Sequence, residues 1–444
     1  MGACRLGQDT QTIPVRVHTH DLSWPSPCSP SDVTSQYLGR VVWSVALSMV
    51  TTVGVCSLRA QVADGSTSIE YQRTLSALER YRVLASEDGG EILPATKKPV
   101  ERGDHYPGVP RLSRLLARIG DLPADAVPTD SDVYDGTLVA AVKRFQVRHG
   151  LEPDGRLGKG TLAQLNTPLS FRVRQLELAL ERWRRLPYDP SRPAIVLNLP
   201  EFRLRAFDAG HQPALEMKIV IGQAHKLETP LLSSELETVL FRPYWNVPFS
   251  IQRKELVPHI KRDPSYISKN DFELVTSKGD VVAEDAVSDT LLAQLRSGKL
   301  HLRQRRGPKN SLGLIKFVFP NEYDVYMHDT PAKSLFSRAR RDFSHGCIRL
   351  ESAQNLAEWV LREESDWRQD RIALAMQGTE SVSVKLTRRI PVRTIYVTAV
   401  VAENGEVHFF EDIYGKDATL EQELAEPDPE AQTTSVEPGL RPRE

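Results

Sequence analysis

The chain has 444 residues, and its 57 Lys and Arg residues balance its 58 Asp and Glu residues to a formal net charge of −1. A near-neutral chain without a long basic run does not fit a nucleic-acid-binding protein, because such proteins rely on cationic contacts to phosphate. Hydrophobic residues make up 40% and charged residues 26%, which excludes a wholly disordered chain. This length predicts two to four domains of roughly 100–200 residues each.

One segment near the N-terminus is apolar enough to meet a membrane. Residues 41–58 read VVWSVALSMVTTVGVCSL between two arginines, a length between that of a signal-peptide core and that of a spanning helix. Small residues follow at Ala60 and Ala63, where a signal peptidase can cut. We therefore expect residues 1–63 to be an export leader, cleaved or kept as a membrane anchor, rather than a buried core helix, and we expect a periplasmic protein.

The cysteines divide unevenly along the chain. Cys4, Cys28 and Cys56 lie in the expected leader, and Cys347 is the one cysteine that follows it. Thiols outside the cytoplasm usually form disulfides, and a lone thiol has no partner in its own chain. The sequence therefore marks Cys347 as a candidate reactive thiol, with a small buried hydrophobic residue as the alternative.

Helical spacing of apolar residues dominates the chain ahead of the β-rich part. Residues 64–105 are a polar scaffold segment with one predicted helix at 69–84. Residues 106–168 contain three helical segments, VPRLSRLLARIG, TLVAAVKRFQVRHG and TLAQLN, and a Gly-rich turn before the third. Residues 169–190 form a linker with the amphipathic helix FRVRQLELALERWRR. The run YDGTLVAAVKRFQVRHGLEPDGRLGKGTLAQLN resembles the small peptidoglycan-binding module of cell-wall enzymes, in which it would bind the wall or act as scaffold; the alternative is a generic three-helix unit.

From Ala194 onward the hydrophobic period changes from helical to two. Strands are predicted around FRLRAF, LEMKIVIG, SELETVLF, IKFVF and YDVYM, with a hairpin at Asn404-Gly405. We expect residues 191–416 to be a mainly β domain, in which the charged helical insertion at 250–306 caps a cleft. Residues 417–444 are acidic and Pro-rich, which predicts a solvated disordered tail. The fold class is thus multidomain α+β.

The segment YDVYMHDTPAKSLFSRARRDFSHGCIRLE holds the residues with chemical potential. In an extended strand, Tyr326 and His328 face away from Val325 and Met327, so burial of the second pair presents the first pair to the opposite side. An imidazole brought to Cys347 can take its proton, since an ordinary thiol has a pKa near 8.5.

The four residues Ser-His-Gly-Cys complete this pattern. Gly346 permits a tight turn that aims a backbone N–H at an oxyanion. Positive charge from Arg349, or from the start of the helix after Cys347, would stabilise a thiolate. Either His328 or His345 alone fits a structural role, but the joint pattern favours catalysis, and it leaves open which imidazole takes the thiol proton.

The spacing H-x15-SHGC followed by Ile-Arg resembles the active-site signature of L,D-transpeptidases of the YkuD type. FRPYWNVP, LRQRRGPKNSLG and IKFVFPNEYDVYMHDTP resemble their large periplasmic subgroup, which has a capping subdomain. The resemblance implies that Cys347 is the nucleophile and His328 the proton donor and acceptor, that His345 and Gly346 shape the site, and that the N–H groups of Gly346 and Cys347 line the oxyanion hole. The residues implied to contact the substrate stem are Tyr326, Arg349, Trp245, Asn246 and Ser344.

The reaction implied by this family is acyl transfer between peptidoglycan stem peptides, without a metal or organic cofactor and with inhibition by carbapenems. Cys347 would release the terminal D-alanine of a tetrapeptide stem, and a diaminopimelate amine of a second stem would complete a 3→3 cross-link. Water as acceptor would give an L,D-carboxypeptidase, and a lipoprotein amine an attachment enzyme. Two further alternatives are a zinc peptidase that uses His328, Asp329, His345 and Cys347, against which the lack of HExxH or CxxC speaks, and a non-catalytic wall-binding scaffold.

Overall fold

The computed structural model describes residues 65–126, 131–187, 189–283 and 286–425. The expected leader, including the candidate span 41–58, and residues 426–444 lie outside the described residues. Among the helices of the described ranges, none has the length and apolar character that crossing a membrane requires. The α-helices in chain order are Ile69–Ser86 (α1), Val109–Arg118 (α2), Gly136–Arg148 (α3), Lys159–Leu165 (α4), Leu169–Arg185 (α5), Phe249–Ile251 (α6), Val257–Arg262 (α7), Tyr266–Lys269 (α8), Asp289–Ser297 (α9), Ala353–Val360 (α10), Gln369–Gln377 (α11) and Lys416–Ala425 (α12).

Four shorter helical turns and fifteen strands complete the described secondary structure. The turns are the 3-10 helices Gly65–Thr67, Ala124–Ala126 and Lys333–Ser337, and a π-helical turn at Gln252–Leu256 joins α6 to α7. The strands are Ala194–Asn198 (β1), Arg203–Asp208 (β2), Gln212–Gly222 (β3), Ser233–Phe241 (β4), Trp245–Asn246 (β5), Phe272–Val275 (β6), Val281–Val282 (β7), His301–Gln304 (β8), Ile315–Val318 (β9), Met327–His328 (β10), Asp342–Ser344 (β11), Ile348–Leu350 (β12), Val382–Ile395 (β13), Ala399–Val401 (β14) and Val407–Phe409 (β15).

Helices α2, α3 and α4 enclose a hydrophobic core of their own, as their apolar spacing predicts. One polar side chain organises the turn between α3 and α4. The Gln146 amide is buried and donates to Asp154 Oδ1 (2.8 Å) and Thr161 Oγ1 (3.1 Å), and its oxygen accepts the Gly155 N–H (2.8 Å). Gln146, in the FQ dipeptide of α3, therefore contacts the DGRLGKGT turn that follows the helix.

The linker helix α5 packs against α1 and against the C-terminal hairpin β14–β15 in a second core. The hairpin turns at the predicted Asn404-Gly405. The three-helix domain contacts the same hairpin, because Arg148 pairs with the buried Asp121 and donates to the Val407 carbonyl (2.5 Å). These contacts fix the helical domain to the β-rich domain.

The main sheet has nine strands in the order β11-β3-β12-β10-β9-β4-β13-β1-β2. An additional pairing between β2 and β3 closes all of them except β11 into a ring around the largest core of the molecule. The predicted alternation is present in β2, where Leu204 and Ala206 are buried in that core and Arg203 and Arg205 face outward. The structure thus confirms the α+β class and the mainly β character of the second half.

The insertion that the sequence analysis expected to cap a cleft, here called the cap, differs in composition from the helical segment expected at 250–306. It begins with β5 and combines helices α6–α9 with a second sheet in the order β5-β8-β6-β7, around a separate core that includes Val257, Leu295 and Leu302. The helices were readable from their spacing, but the strands are two to four residues long, and so short a strand leaves almost no periodic signal.

The expectation of a disordered tail from residue 417 is wrong for its first part. Residues Lys416–Ala425 form α12, whose Leu420 is buried. The Asp417 carboxylate pairs with Arg182 of α5 and accepts a hydrogen bond from Thr398 Oγ1 (2.6 Å). Acidic composition favours disorder only when no partner compensates the charge, and α5 supplies arginines to this helix.

Candidate active site

The SHGC loop owes its position to β3, which it crosses. Strand β11 pairs with β3 in parallel through Ser344 and Gly222, and β12 pairs with β3 antiparallel through Arg349 and Val220. Residues 345–347 therefore pass over the end of β3 from one side to the other. A side chain at Gly222 would collide with the backbone of residues 227–229, 2.0 Å from the Leu227 carbonyl oxygen, so glycine is required there.

Two hydroxyl groups hold the loop in shape. Ser344 Oγ donates to the Cys347 carbonyl (2.6 Å) and accepts the Gly346 N–H (3.2 Å). Thr229 Oγ1, which is buried, donates to the Gly346 carbonyl (2.8 Å) and accepts the Gly222 N–H (2.9 Å). Gly346 has φ 110°, a conformation that side-chain-bearing residues rarely adopt. The loop is thus a fixed turn rather than a flexible connection.

Strands β10 and β12 bring the chemical groups together. They pair in parallel with Met327 opposite Ile348 and His328 opposite Arg349, and the Ile348 N–H donates to the Tyr326 carbonyl (3.0 Å). Met327 and Ile348 are fully buried in the ring core. Because side chains alternate along a strand, the flanking residues Tyr326, His328, Cys347 and Arg349 share the outer face. The predicted orientation of YMH is confirmed.

His328 is a buried imidazole with a defined tautomer. Its Nδ1 lies 2.5 Å from the Asp329 carbonyl oxygen, and since a carbonyl only accepts, Nδ1 carries the proton and Nε2 keeps a free lone pair. Burial, and next the charge on Arg349, lowers the pKa of His328 to about 3. The ring is therefore neutral near pH 7 and able to act as a base.

Cys347 is the free cysteine of the described chain and is partly exposed. Burial raises the pKa of its thiol, and hydrogen bonds from Tyr326 together with the charges on Lys316 and Arg349 oppose that change without offsetting it. The resting site thus holds a neutral thiol and a neutral imidazole on one face of the sheet, with Cys347 Sγ 3.9 Å from the Asp324 carbonyl oxygen. The start of α10 does not supply the expected helix charge, because β12 separates Cys347 from that helix.

Lys316 is the functional candidate that the sequence analysis missed. It lies on β9 directly opposite His328, on the same outer face, and its Nζ is 3.7 Å from the centre of the Tyr326 ring. The sequence marks Lys316 only as a polar residue in the otherwise apolar strand IKFV. The strand pairing decides on which face of the sheet its side chain lies.

Three predicted site residues lie elsewhere than on this face. His345 is about one-third exposed, and its Nε2 lies 2.6 Å from Glu255 Oε1 of the cap. Trp245 and Asn246 form β5 of the cap, where Trp245 packs on Phe272 with the ring centres 6.2 Å apart.

The backbone donors also differ from expectation. The Gly346 N–H, expected in an oxyanion hole, donates to Ser344 Oγ inside the loop. The zinc alternative lacks a set of ligands. In the described ranges, no three His, Cys, Asp or Glu side chains come together in a group that could hold a metal ion.

Comparisons with known proteins agree with this geometry. Residues 192–389 match the YkuD family, "L,D-transpeptidase catalytic domain", and residues 105–165 match "Putative peptidoglycan binding domain". A "Putative L,D-transpeptidase" of Haemophilus influenzae is 31% identical over 249 residues, which cover 56% of this chain and 49% of the relative. The chain thus spans about half the length of that relative.

Two solved structures have lower similarity. An L,D-transpeptidase (Yku) from Stackebrandtia nassauensis is 12% identical, with a TM-score of 0.26 over 67% of this chain and 97% of the other. A fused Zn-dependent amidase/peptidase/peptidoglycan-binding domain-containing protein from Clostridium acetobutylicum is also 12% identical, with a TM-score of 0.16 over 68% and 100%. By these family matches, residues 192–389 are similar to the YkuD L,D-transpeptidase catalytic domain, and residues 105–165 ahead of them are similar to the peptidoglycan-binding family.

Proposed function

We propose that this protein forms 3→3 cross-links between peptidoglycan stem peptides, with Cys347 as the nucleophile and His328 as its base. The observation that carries the proposal is that His328 on β10 and Cys347, which directly precedes the neighbouring strand β12, lie on the same outer face of the sheet. His328 Nδ1 is held by a carbonyl, which leaves Nε2 as the atom able to accept a proton. His345, whose Nε2 meets Glu255, is the weaker candidate for the base.

In the first half-reaction the thiol is acylated. Since the thiol pKa is raised and the imidazole pKa is lowered, proton transfer from Sγ to His328 Nε2 accompanies attack on the carbonyl carbon of the third stem residue. The C–S bond forms, the C–N bond to the terminal D-alanine breaks, and Nε2 returns the proton to the leaving amine. We assign the Cys347 N–H to the oxyanion, because the Gly346 N–H already donates to Ser344.

In the second half-reaction an amine replaces the thiol. The side-chain amine of diaminopimelate in a second stem attacks the thioester and gives a proton to His328 Nε2. The new C–N bond forms, the C–S bond breaks, and the thiolate recovers that proton. No metal or redox cofactor enters this sequence, and the proton count balances over one turnover.

Two acceptors compete with the stem amine in the same scheme. Water would release a tripeptide, as in an L,D-carboxypeptidase, and a lipoprotein amine would be attached to the wall. The peptidoglycan-binding family match favours wall-derived substrates in each case.

We also propose a periplasmic location, with residues 41–58 as signal or anchor. The site depends on a free thiol, and the described chain contains no second cysteine that could form a disulfide with it. Fractionation of cells that express the full chain tests the location.

Incubation with purified muropeptides tests the reaction. We expect the wild-type chain to convert tetrapeptide monomers into 3→3 dimers, and to gain the mass of a carbapenem in intact-protein mass spectrometry. Cys347→Ala should lose both properties and keep its thermal unfolding midpoint. Dimer formation by Cys347→Ala would disprove the nucleophile, and trimmed tripeptides without dimers would favour the carboxypeptidase.

A further inference from the structure

Two cations near the reactive thiol form no ion pair with a carboxylate among the described residues. Lys316 on β9 and Arg349 on β12 lie on either side of His328, each directly opposite it in the strand register. Their outward direction follows from the burial of their neighbours Phe317 and Ile348 in the core. Lys316 Nζ rests 3.7 Å from the centre of the Tyr326 ring.

Buried arginines elsewhere in this chain have partners of two kinds: some pair with carboxylates, whereas Arg341 donates to the backbone carbonyls of Ile219 and Phe202. Arg148 pairs with Asp121, and Arg205 pairs with Glu201. Across the described ranges, neither Lys316 nor Arg349 forms an ion pair with a carboxylate. Arg349 Nε is buried without a hydrogen-bond partner, as are Arg242 Nε and Arg393 Nε.

The energetic cost of this arrangement is visible in both groups. Burial lowers the pKa of Lys316 and the pKa of Arg349. The negative charge of an ionised Cys347 opposes this change at both groups, and the Asp324 carboxylate also opposes it at Lys316. Withdrawing unpaired charge from water is unfavourable, so two such cations at one site are typical of a site completed by an anion.

We propose that Lys316 and Arg349 form a carboxylate subsite, which binds the free C-terminal carboxylate of the acyl donor beside Cys347. This inference rests on the proposed function. A single residue after the scissile bond places its carboxylate about 3.5 Å of chain beyond the carbonyl carbon. Arg349 lies two residues along from Cys347, about 7 Å at 3.3 Å per residue, and Lys316 lies at the same level on β9. The long side chains of both cations are therefore within reach of the carboxylate of a one-residue leaving group.

Acylation of the full chain by a tetrapeptide and by the same peptide with a C-terminal carboxamide tests the subsite. We expect the wild-type chain to prefer the carboxylate, and Lys316→Gln to lower kcat/KM for the carboxylate about tenfold while leaving the carboxamide unchanged, because one charge-assisted contact is lost. Lys316→Arg should restore most of the preference. Lys385→Gln on β13, an exposed lysine of the same sheet, is the matched control.

Three outcomes would overturn the proposal. If Lys316→Gln slowed acylation by both peptides equally, the lysine would act on the thiol and not on the substrate carboxylate. The pH profile of iodoacetamide alkylation would then also change. An unchanged carboxylate preference in a folded Lys316→Gln chain would remove Lys316 from recognition, while Cys347 acylation would still support the proposed function. Acylation of the wild-type chain by neither peptide would overturn the proposed function and the subsite together.

Discussion

The turn at Gly155 in the peptidoglycan-binding domain and the loop at Gly346 in the catalytic domain are built alike. Each has a glycine with positive φ, 75° and 110°, and a buried polar side chain, Gln146 or Thr229, that satisfies the backbone around it. Gln146 is nine residues from Gly155, whereas Thr229 is 117 residues from Gly346. The same stabilising contact is therefore readable from the sequence in one domain and hidden in the other.

Each domain also has a buried histidine whose Nδ1 donates to a carbonyl. His149 donates to Phe145 (2.8 Å) and stacks on its ring with centres 3.8 Å apart. His328 donates to the Asp329 carbonyl and lies on the outer face of the sheet, as Cys347 does. Burial lowers the pKa of both imidazoles. Similar electrostatics thus accompany a structural role in one domain and a proposed catalytic role in the other, and the neighbouring groups decide which.

Replacement of each histidine in turn should have the largest expected effect, and it should separate the structural role from the catalytic one. We expect His328→Asn to slow acylation of Cys347 by a factor on the order of 10² to 10⁴, the usual contribution of a general base. His149→Asn should lower the thermal unfolding midpoint and leave the acylation rate of the folded chain unchanged. Stopped-flow acylation with a carbapenem and thermal melts measure both. Equal loss of acylation in the two variants would contradict the separation.

Removal of each buried polar side chain should have a smaller, equally selective effect. Thr229→Val leaves the Gly346 carbonyl and the Gly222 N–H without their partner, so we expect acylation to slow about tenfold. Gln146→Leu should destabilise the helical domain by about 1–3 kcal/mol with normal acylation. Hydrogen exchange and acylation of the full chain report the two effects. Thr229→Ser is the control, and a slow Thr229→Ser chain would show that the methyl group, not the hydroxyl, matters.

Lowering the pH should reduce the free energy of unfolding of both regions. Because the folded pKa of each histidine lies below the unfolded value, the unfolded chain binds more protons as the pH falls below about 6.5, and stability decreases. For His328 this window extends to about 3, and for His149 burial sets the same direction. Each histidine contributes up to about 1.4 kcal/mol per pH unit. The loss of unfolding free energy between pH 7 and pH 4 should be smaller in His328→Asn and in His149→Asn than in the wild-type chain. An identical loss in all three would show that carboxylates dominate.

Much of the fold followed from local pattern. The spacing in α2, α3 and α5 predicted those helices, the alternation in β2 predicted its inward face, and Asn404-Gly405 predicted its hairpin. These features depend on residues within one or two turns of each other. The cap strands were not predicted and helix α12 was predicted as disordered tail, because each depends on a partner far along the chain. The helix charge expected at Cys347 is absent because β12 lies between that residue and α10.

The candidate site divides in the same way. The identity of Cys347 as the lone thiol and the outward pairing of Tyr326 with His328 are properties of short segments, so the sequence by itself determined them. Strand register decided that His328 lies opposite Arg349 and Lys316, and the crossing of β3 by residues 345–347 decided that Thr229 supports Gly346. These contacts join strands and loops that are separated by tens of residues or more, and only the closed sheet brings them within the few ångströms at which charge and hydrogen bonds act.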